Sequence, residues 1–536
     1  MGRISISSPP TSPTFAAAMA PTSTRSRFRP LPTLAFLALH ACLFYYYHTS
    51  LRQARTTTSV PLRSSGLQLS TTSGSDPTTN LAAAVPSLAT SSCEVCHLDP
   101  TNPLCQYGLD SIRQSRAYEG SGARIRRVLA KALRGEEIGI GILGASVTQG
   151  HSVPPGLPRW QEQFLNDFKL LFPTAKMYTG AVGAMDSRFF AYCFEALVPK
   201  DLDIYFVETD INNDPSLRTL KDDDGLMRAL LQLPQEPAVV RVSTFALLFP
   251  ELARGAMSSL ITSQLFDVPV IGIRNFLLPH TIHHREAADG IFGLDQWGNR
   301  DYRHIGPAGH VALGDMVALF MRKEVCETQR RAILPPVDLP KVGPWPGEED
   351  LGKIPPLALW SSWLRPVNLD PITPMCRVTG SPLSPLEPHS HSPTFKLIEW
   401  NGKAAWGATQ PGSQIRFKFT GTKIGLFVWA TPGTGPDEVS PDMKLRQQNA
   451  PGQAMCWVED PDMSEAEWDE KYGNAPMPEA QSWLVNAHWP EKAASGPEFV
   501  ELAEDLHPGN HILACEVSRE SSTGGYKWMM QGIASQ

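Results

Sequence analysis

Asp301 and His304 stand three residues apart in the segment D-Y-R-H, and a run compatible with a helix follows from about Gly306. A carboxylate and an imidazole at that spacing can hydrogen-bond within one loop, which fixes the tautomer and the orientation of the ring. An oriented imidazole is a general base in search of a weak nucleophile to activate. The candidate is Ser146, in I-G-I-G-I-L-G-A-S-V-T-Q-G (residues 138–150), where an apolar strand runs into a turn of small residues. A serine just past the carboxyl end of a buried strand stands where α/β sheets place their chemistry. The three side chains are the parts of an acyl-transfer site: Ser146 attacks, His304 moves the proton and Asp301 holds the ring.

Competing motifs in the same stretches imply less. G-I-G-I-L-G (residues 139–144) spells the dinucleotide fingerprint, whose glycines belong in the turn after a strand. Here they alternate with isoleucines inside the strand, so no nicotinamide or flavin is implied. Thr148 replaces the second glycine of the G-x-S-x-G elbow, and the α/β-hydrolases that use it draw acid and histidine from separate loops. Cys93-Glu94-Val95-Cys96-His97 matches a haem attachment motif, but with Cys105 close by it reads as a disulfide-tied loop. His280, His283 and His284 have only Glu286 near them, which is no metal-ligand set. His310 is expected on a helix face or at a cap, and Trp297 is a candidate lining residue.

The elements that must hold these residues follow from hydrophobic periodicity. Ile125, Val128, Leu129, Ala132 and Leu133 share a helical face that Gly135 stops; Trp160, Phe164, Phe168 and Leu171 share another. Strands are expected at 138–144, 176–178, 203–208, 238–243 and 268–274. Helices separate them at 187–197, at 217–233 in two pieces with Asp222–Asp224 opening the second, at 254–266 and at 306–323. That alternation predicts a parallel sheet with helices on both faces, a three-layer α/β/α sandwich. Ser146, Gly183 and Asn212 each follow a different strand. Beyond Cys376 the period changes to two: Ile415, Phe417 and Phe419 alternate with Arg416 and Lys418, and further strands are expected at 424–429, 511–517 and 526–533. The tail therefore reads as an all-β, sandwich-like domain.

Composition sets the rest. The chain has 536 residues, 42% of them hydrophobic, and a net charge of −7 without a basic stripe, so nucleic acid is excluded as a partner. Residues 31–47 are apolar apart from His40, follow Arg25, Arg27 and Arg29, and end in tyrosines, which predicts one N-terminal signal-anchor helix in the membrane. A cleaved signal peptide is the rival, but Leu39 stands where its cleavage site needs a small residue. Nine cysteines, eight of them beyond the apolar run, suit disulfides. The expected organisation is a cytoplasmic tail (1–30), the anchor (31–48), a Ser/Thr-rich stem (49–92), the α/β domain (93–333), a Pro-rich connector (334–375) and the β domain (376–536).

Taken together, Gly144-Ala145-Ser146, Gly180-Ala181-Val182-Gly183, Val207-Glu208 through Asn212 and Asp301 to His304 resemble the blocks of the SGNH (GDSL-like) hydrolase superfamily, specifically a membrane-anchored branch found in fungi. Ala145 replaces the usual aspartate. The resemblance implies a serine esterase without metal or cofactor, with an oxyanion hole built from the N–H groups of Ser146 and Gly183 and the side chain of Asn212. Asn213 and Gly180 are the alternatives for the last two. It further implies an acylated carbohydrate as substrate and a type II protein of the Golgi or secretory lumen. A glycan O-acetyltransferase with the same triad, and a catalytically idle glycan-binding protein, are the other function classes the sequence allows.

Overall fold

The computed structural model describes residues 92–214, 216–249, 257–295, 297–334, 353–369, 374–400, 402–432, 450–459, 481–491 and 495–536. These belong to one compact unit, Pro77–Gln536. The expected tail, anchor and most of the stem lie outside the described residues. Among the described residues no helix is long and apolar enough to cross a membrane.

The first domain is built on six strands: β1 (Arg116–Tyr118), β2 (Gly139–Gly144), β3 (Lys176–Ala181), β4 (Ile204–Glu208), β5 (Ala238–Ser243) and β6 (Val270–Gly272), in the order β1-β6-β5-β4-β2-β3. All neighbours pair in parallel except β1, an antiparallel edge strand that the sequence reading missed. Three residues are too few to display a period. Side chains alternate between the faces as strand geometry demands. Ile140, Ile142, Ile204 and Phe206 enter one core; Leu143, Tyr205 and Val207 enter the other. The glycines of β2 make room on the second face: a Cβ on Gly141 would stand 2.6 Å from the Tyr205 ring. That packing is their purpose, not a dinucleotide turn.

Helices α1 (Ala123–Leu133), α3 (Trp160–Leu171) and α8 (Pro307–Ile333) cover the first face; α4 (Ser187–Leu197) and α5 (Leu217–Leu231) cover the second, giving the three layers expected. Between them run α2 (Ser146–Gln149), α6 (Met257–Phe266) and α7 (Arg274–His283). Gly135 at φ +85° ends α1, as read, although Leu133 and Leu171 at the helix ends are exposed. Helix α5 is continuous, so Asp222–Asp224 open no second piece. Asp222 is held instead by Arg188 and Asp223 by Arg241 and Ser187, all from other elements, while Asp224 pairs with Arg228 one turn along the same helix. The closing helix α8 runs ten residues past its expected end at Lys323.

The second domain stacks two antiparallel sheets around an apolar core that includes Phe417, Leu426, Leu513 and Trp528. The strands are β9 (Met375–Val378), β10 (Ser390–His391), β11 (Lys396–Trp400), β12 (Lys403–Ala408), β13 (Gln414–Thr420), β14 (Ile424–Ala430), β15 (Gln453–Glu459), β16 (Ser482–Asn486), β17 (Gly496–Ala503), β18 (Asn510–Val517) and β19 (Trp528–Ser535). One sheet runs β10-β13-β18-β15-β16; the other runs β11-β12-β19-β14-β17, with β9 added on β19. On β13 the residues at 415, 417 and 419 are buried, as their alternation predicted.

Four disulfides tie these parts. Cys96–Cys105 closes the N-terminal loop and Cys93–Cys326 pins it to α8, so the C-x-x-C-H motif offers no thiols to haem or zinc. Cys456–Cys515 joins paired strands, and Cys193–Cys376 joins α4 to β9 across the two domains. The packing is continuous there too: Phe189 of α4 meets Phe427 edge-on at 5.1 Å, and Tyr192 stacks on Phe499 at 4.7 Å.

Candidate active site

Strand β2 ends at Gly144, and the chain turns at once into the single turn α2 that begins with Ser146. A residue at a helix start has no intrahelical acceptor for its N–H, so the Ser146 amide stays available. The chain turns against β4 next door. The Glu208 carboxylate takes hydrogen bonds from the Ala145 N–H (3.3 Å), the Thr148 N–H (3.2 Å) and the Thr148 hydroxyl (2.9 Å). Trp160 Nε1 donates to the same Thr148 oxygen, and Gln161 donates to the Thr148 carbonyl. Burial pushes the Glu208 carboxyl up to about 8, even against the Thr148 hydrogen bonds that pull it down. Thr148, which broke the expected glycine elbow, is therefore the second support of this turn. A Cβ on Gly144 would collide with it, so Gly144 must lack a side chain.

Asp301 and His304 do not lie on a loop. They belong to β8 (Arg300–Ile305), which pairs with β7 (Phe292–Leu294) in a two-stranded ribbon beside α8. Regular alternation would send residues three apart to opposite faces. A register shift between the Phe292–Ile305 and Gly293–Asp301 pairs loops out the residues between, and both side chains reach the same place. His304 Nδ1 lies 2.5 Å from Asp301 Oδ2, and His304 Nε2 lies 2.8 Å from Ser146 Oγ. Burial alone would raise the Asp301 carboxyl. The hydrogen bond and charge of His304, the Arg303 N–H and the Ser152 hydroxyl more than offset it and hold it at about 2. His151 packs its ring 5.0 Å from that of His304.

The candidate oxyanion donors separate. Asn212 faces the cleft that Ser146 and His304 line, and its amide gives one proton to the Met185 carbonyl at 2.7 Å, leaving a second. Asn213 is buried behind it, bonded through its side chain to the Ser187 N–H and hydroxyl. Gly180 lies within β3, in register with Leu143, where a Cβ would strike Leu197. Gly183 is in the loop beyond β3, against Gln149 of the nucleophile turn. His310 is no second base: it is buried in α8, accepts from the Trp160 N–H, and burial pushes its imidazole down to about 3. Among the described residues no group of three His, Cys, Asp or Glu side chains could hold a metal.

The cleft measures about 1720 Å³ and has two walls. Trp297, 76% exposed, and Asp301 belong to the first domain; Lys403, Trp429, Trp489 and Glu498 face them from the second. Gln149 Nε2 donates to the Gly402 carbonyl at 2.6 Å, and Arg218 pairs with Glu498 at 2.5 Å, so both walls are fixed to each other. None of these second-domain residues was read from the sequence. Only an isolated lysine or tryptophan in a β pattern marks them there, and that signal is indistinguishable from packing.

No protein-family model matches the chain, and no curated protein matches it. Among solved structures it is similar to a two-domain esterase active on acetylated mannans, co-crystallised with mannopentaose: TM-score 0.50 at 17% identity, over 79% of this chain and 98% of that one. A second structure described as a two-domain esterase active on acetylated mannans gives 0.49 at 16% identity, over the same shares of both chains. What is shared is the fold, an α/β domain followed by a β domain.

Proposed function

We propose that this chain is a serine esterase of SGNH type that removes acetyl groups from a glycan. The observation that carries the reading is the hydrogen-bonded series Ser146–His304–Asp301, opening on a cleft with room for several sugar rings. His304 takes the proton of Ser146 as Oγ attacks the ester carbonyl, and Asp301 stabilises the imidazolium that forms. The N–H groups of Ser146 and Gly183 and the remaining Asn212 proton meet the oxyanion. His304 then returns the proton to the departing sugar hydroxyl, and water releases acetate from Ser146 by the same path. Trp297, Trp429 and Trp489 offer flat apolar faces of the kind that sugar rings pack against. The likeness in fold to an esterase active on acetylated mannans adds support for an acetylated polysaccharide.

Four disulfides support an oxidising compartment. Together with the apolar run at 31–47 they favour a single-pass type II protein whose described part faces the secretory lumen, the arrangement of the membrane-anchored fungal branch. Alkaline carbonate should leave the protein in the membrane pellet; release into the supernatant would refute the anchor.

The decisive experiment is acetate release from 4-nitrophenyl acetate and from acetylated polysaccharides by the purified full-length chain, beside Ser146→Ala. Replacing the nucleophile of such a triad costs about 10⁶ in kcat. Turnover that survives Ser146→Ala would overturn the mechanism, and no turnover in either protein would point to the glycan-binding alternative.

A further inference from the structure

The cleft holds a cation that the reaction above does not use. Lys403 is the first residue of β12, presented by the turn whose Gly402 (φ +70°) is hydrogen-bonded to Gln149, three residues past Ser146. Its stem crosses to the first domain. At Gly183, the point where a Cβ would stand lies 3.0 Å from Lys403 Cε and 3.2 Å from Nζ. Any side chain at 183 would displace the lysine.

The ammonium is half-buried, and among the described residues it has no counterion. Burial lowers its pKa, and no neighbouring carboxylate raises it back. Among the described residues no carboxylate is within ion-pair distance of Nζ. The acids sharing the cleft are engaged elsewhere: Glu498 with Arg218, Asp301 with His304, Asp289 with Arg300, and Asp186, Asp214 and Asp295 with donors of their own segments. Glu491 is exposed on the rim. Taking a charge out of water without a partner is unfavourable, so such a group marks a place where a ligand supplies the opposite charge. A second unsatisfied atom adjoins it. Gln149 Oε1 is buried, accepts no hydrogen bond, and lies 2.7 Å from the same Cβ point.

We propose that Lys403 and Gln149 form a subsite for a sugar carboxylate, so that the preferred substrate is an acetylated glycan containing uronic acid. Lys403 takes the carboxylate, and Gln149, bonded to the Gly402 carbonyl, fixes the turn that presents the lysine. A neutral sugar leaves the ammonium unpaired. The ammonium lies beside the point where a side chain at Gly183 would begin, and in this arrangement it reads the sugar and not the reacting carbonyl. This rests on the esterase reading and gives it a substrate class.

The test compares the full-length chain with Lys403→Met, which keeps the stem, and Lys403→Arg, which keeps the charge. Substrates are acetylated homogalacturonan, acetylated glucomannan and 4-nitrophenyl acetate. A lost charge-assisted contact corresponds to about 10–100-fold. Lys403→Met should therefore lose about that much kcat/KM on the acidic polymer, chiefly through KM, and at least about tenfold more than on either neutral substrate. Lys403→Arg should recover most of it, and salt should compress the wild-type preference. An equal fall in kcat on 4-nitrophenyl acetate would place Lys403 at the reacting carbonyl and overturn the proposal, as would an unchanged preference. Binding of deacetylated polygalacturonate to Ser146→Ala, with and without Lys403→Met, is read by calorimetry and needs no turnover. Lysine-dependent binding in a protein that hydrolyses nothing would sink the esterase reading alone; lysine-independent binding would sink the subsite alone.

Discussion

The two domains contribute to one cleft by different physical routes. In the α/β domain the central strands β2, β4 and β5 are buried on both faces, β4 along its whole length, so polar chemistry can leave them only at their ends. Ser146 and Asn212 emerge there, after β2 and β4. The sheet order places these strands side by side where the chain reverses its direction of winding, with β3 on one side of β2 and β4 on the other. In the β domain the sheet that meets the α/β domain is also covered on both faces along β14 and β19, and the side chains that reach the cleft leave near the ends of several neighbouring strands. Trp429 and Glu498 come from the paired strands β14 and β17, and Lys403 from the start of β12. Two adjacent strand ends suit groups that must meet within a few tenths of an ångström; a row of ends along a sheet suits the spaced contacts of a polymer. On the proposed function, reaction and recognition are divided between the domains, which Cys193–Cys376 and the aromatic contacts around it hold together.

That division can be broken from either side. The largest effect belongs to the first domain. Asn212→Ala should lower kcat by about 10²–10³ on every ester, small or polymeric, without moving the melting temperature. Asn213→Ala should instead cost about 1–3 kcal/mol of stability, because the buried Ser187 N–H loses its acceptor, while chemistry persists. Kinetics and thermal melts on both variants decide it, and the opposite pattern would move the oxyanion role to Asn213.

Next in size is the covalent link. Cys193→Ala with Cys376→Ala should remove about 2–4 kcal/mol of stability. If the second domain recognises the polymer, KM should rise more for acetylated polysaccharide than for 4-nitrophenyl acetate; equal changes on both would argue against the division.

The smallest effect is a pH dependence confined to the first domain. The folded Glu208 carboxyl is raised from 4.5 to about 8. The folded protein therefore keeps a proton that the unfolded chain has released. Stability from this group falls as pH climbs from about 4.5 to about 8, then levels off. Glu208→Gln should flatten that slope, so that the wild-type melting temperature drops relative to the variant by a few degrees across this window. Parallel melting curves would show that Glu208 is ionised throughout.

How much of this was legible in the sequence depended on whether a contact was local. Asp301 and His304 are near neighbours in sequence, and Ser146 follows an apolar strand whose exit point is predictable; all three could be named. Gly183 and Asn212 could be placed after their strands by counting. The bulge that lets β8 present both Asp301 and His304 leaves no mark in D-Y-R-H. Glu208 was visible only as part of a block, because its role as the acceptor under the nucleophile turn depends on β2 and β4 being neighbours. The apparent break in α5 was misread for a similar reason. Three consecutive aspartates look like a helix start until Arg188 and Arg241 arrive from elsewhere.

By itself, the sequence determined the periodicities: apolar strands alternating with amphipathic helices, then a change to period two, and a compact Asp–His pair late in the first domain. These are local properties, set by which face of each element must avoid water. Only the tertiary structure decided that the β domain forms the other wall of the cleft, with Lys403 brought to Gly183 across 220 residues of chain. That contact comes from the packing of one domain on another, where shape and burial choose the neighbours and spacing along the chain carries no record of them.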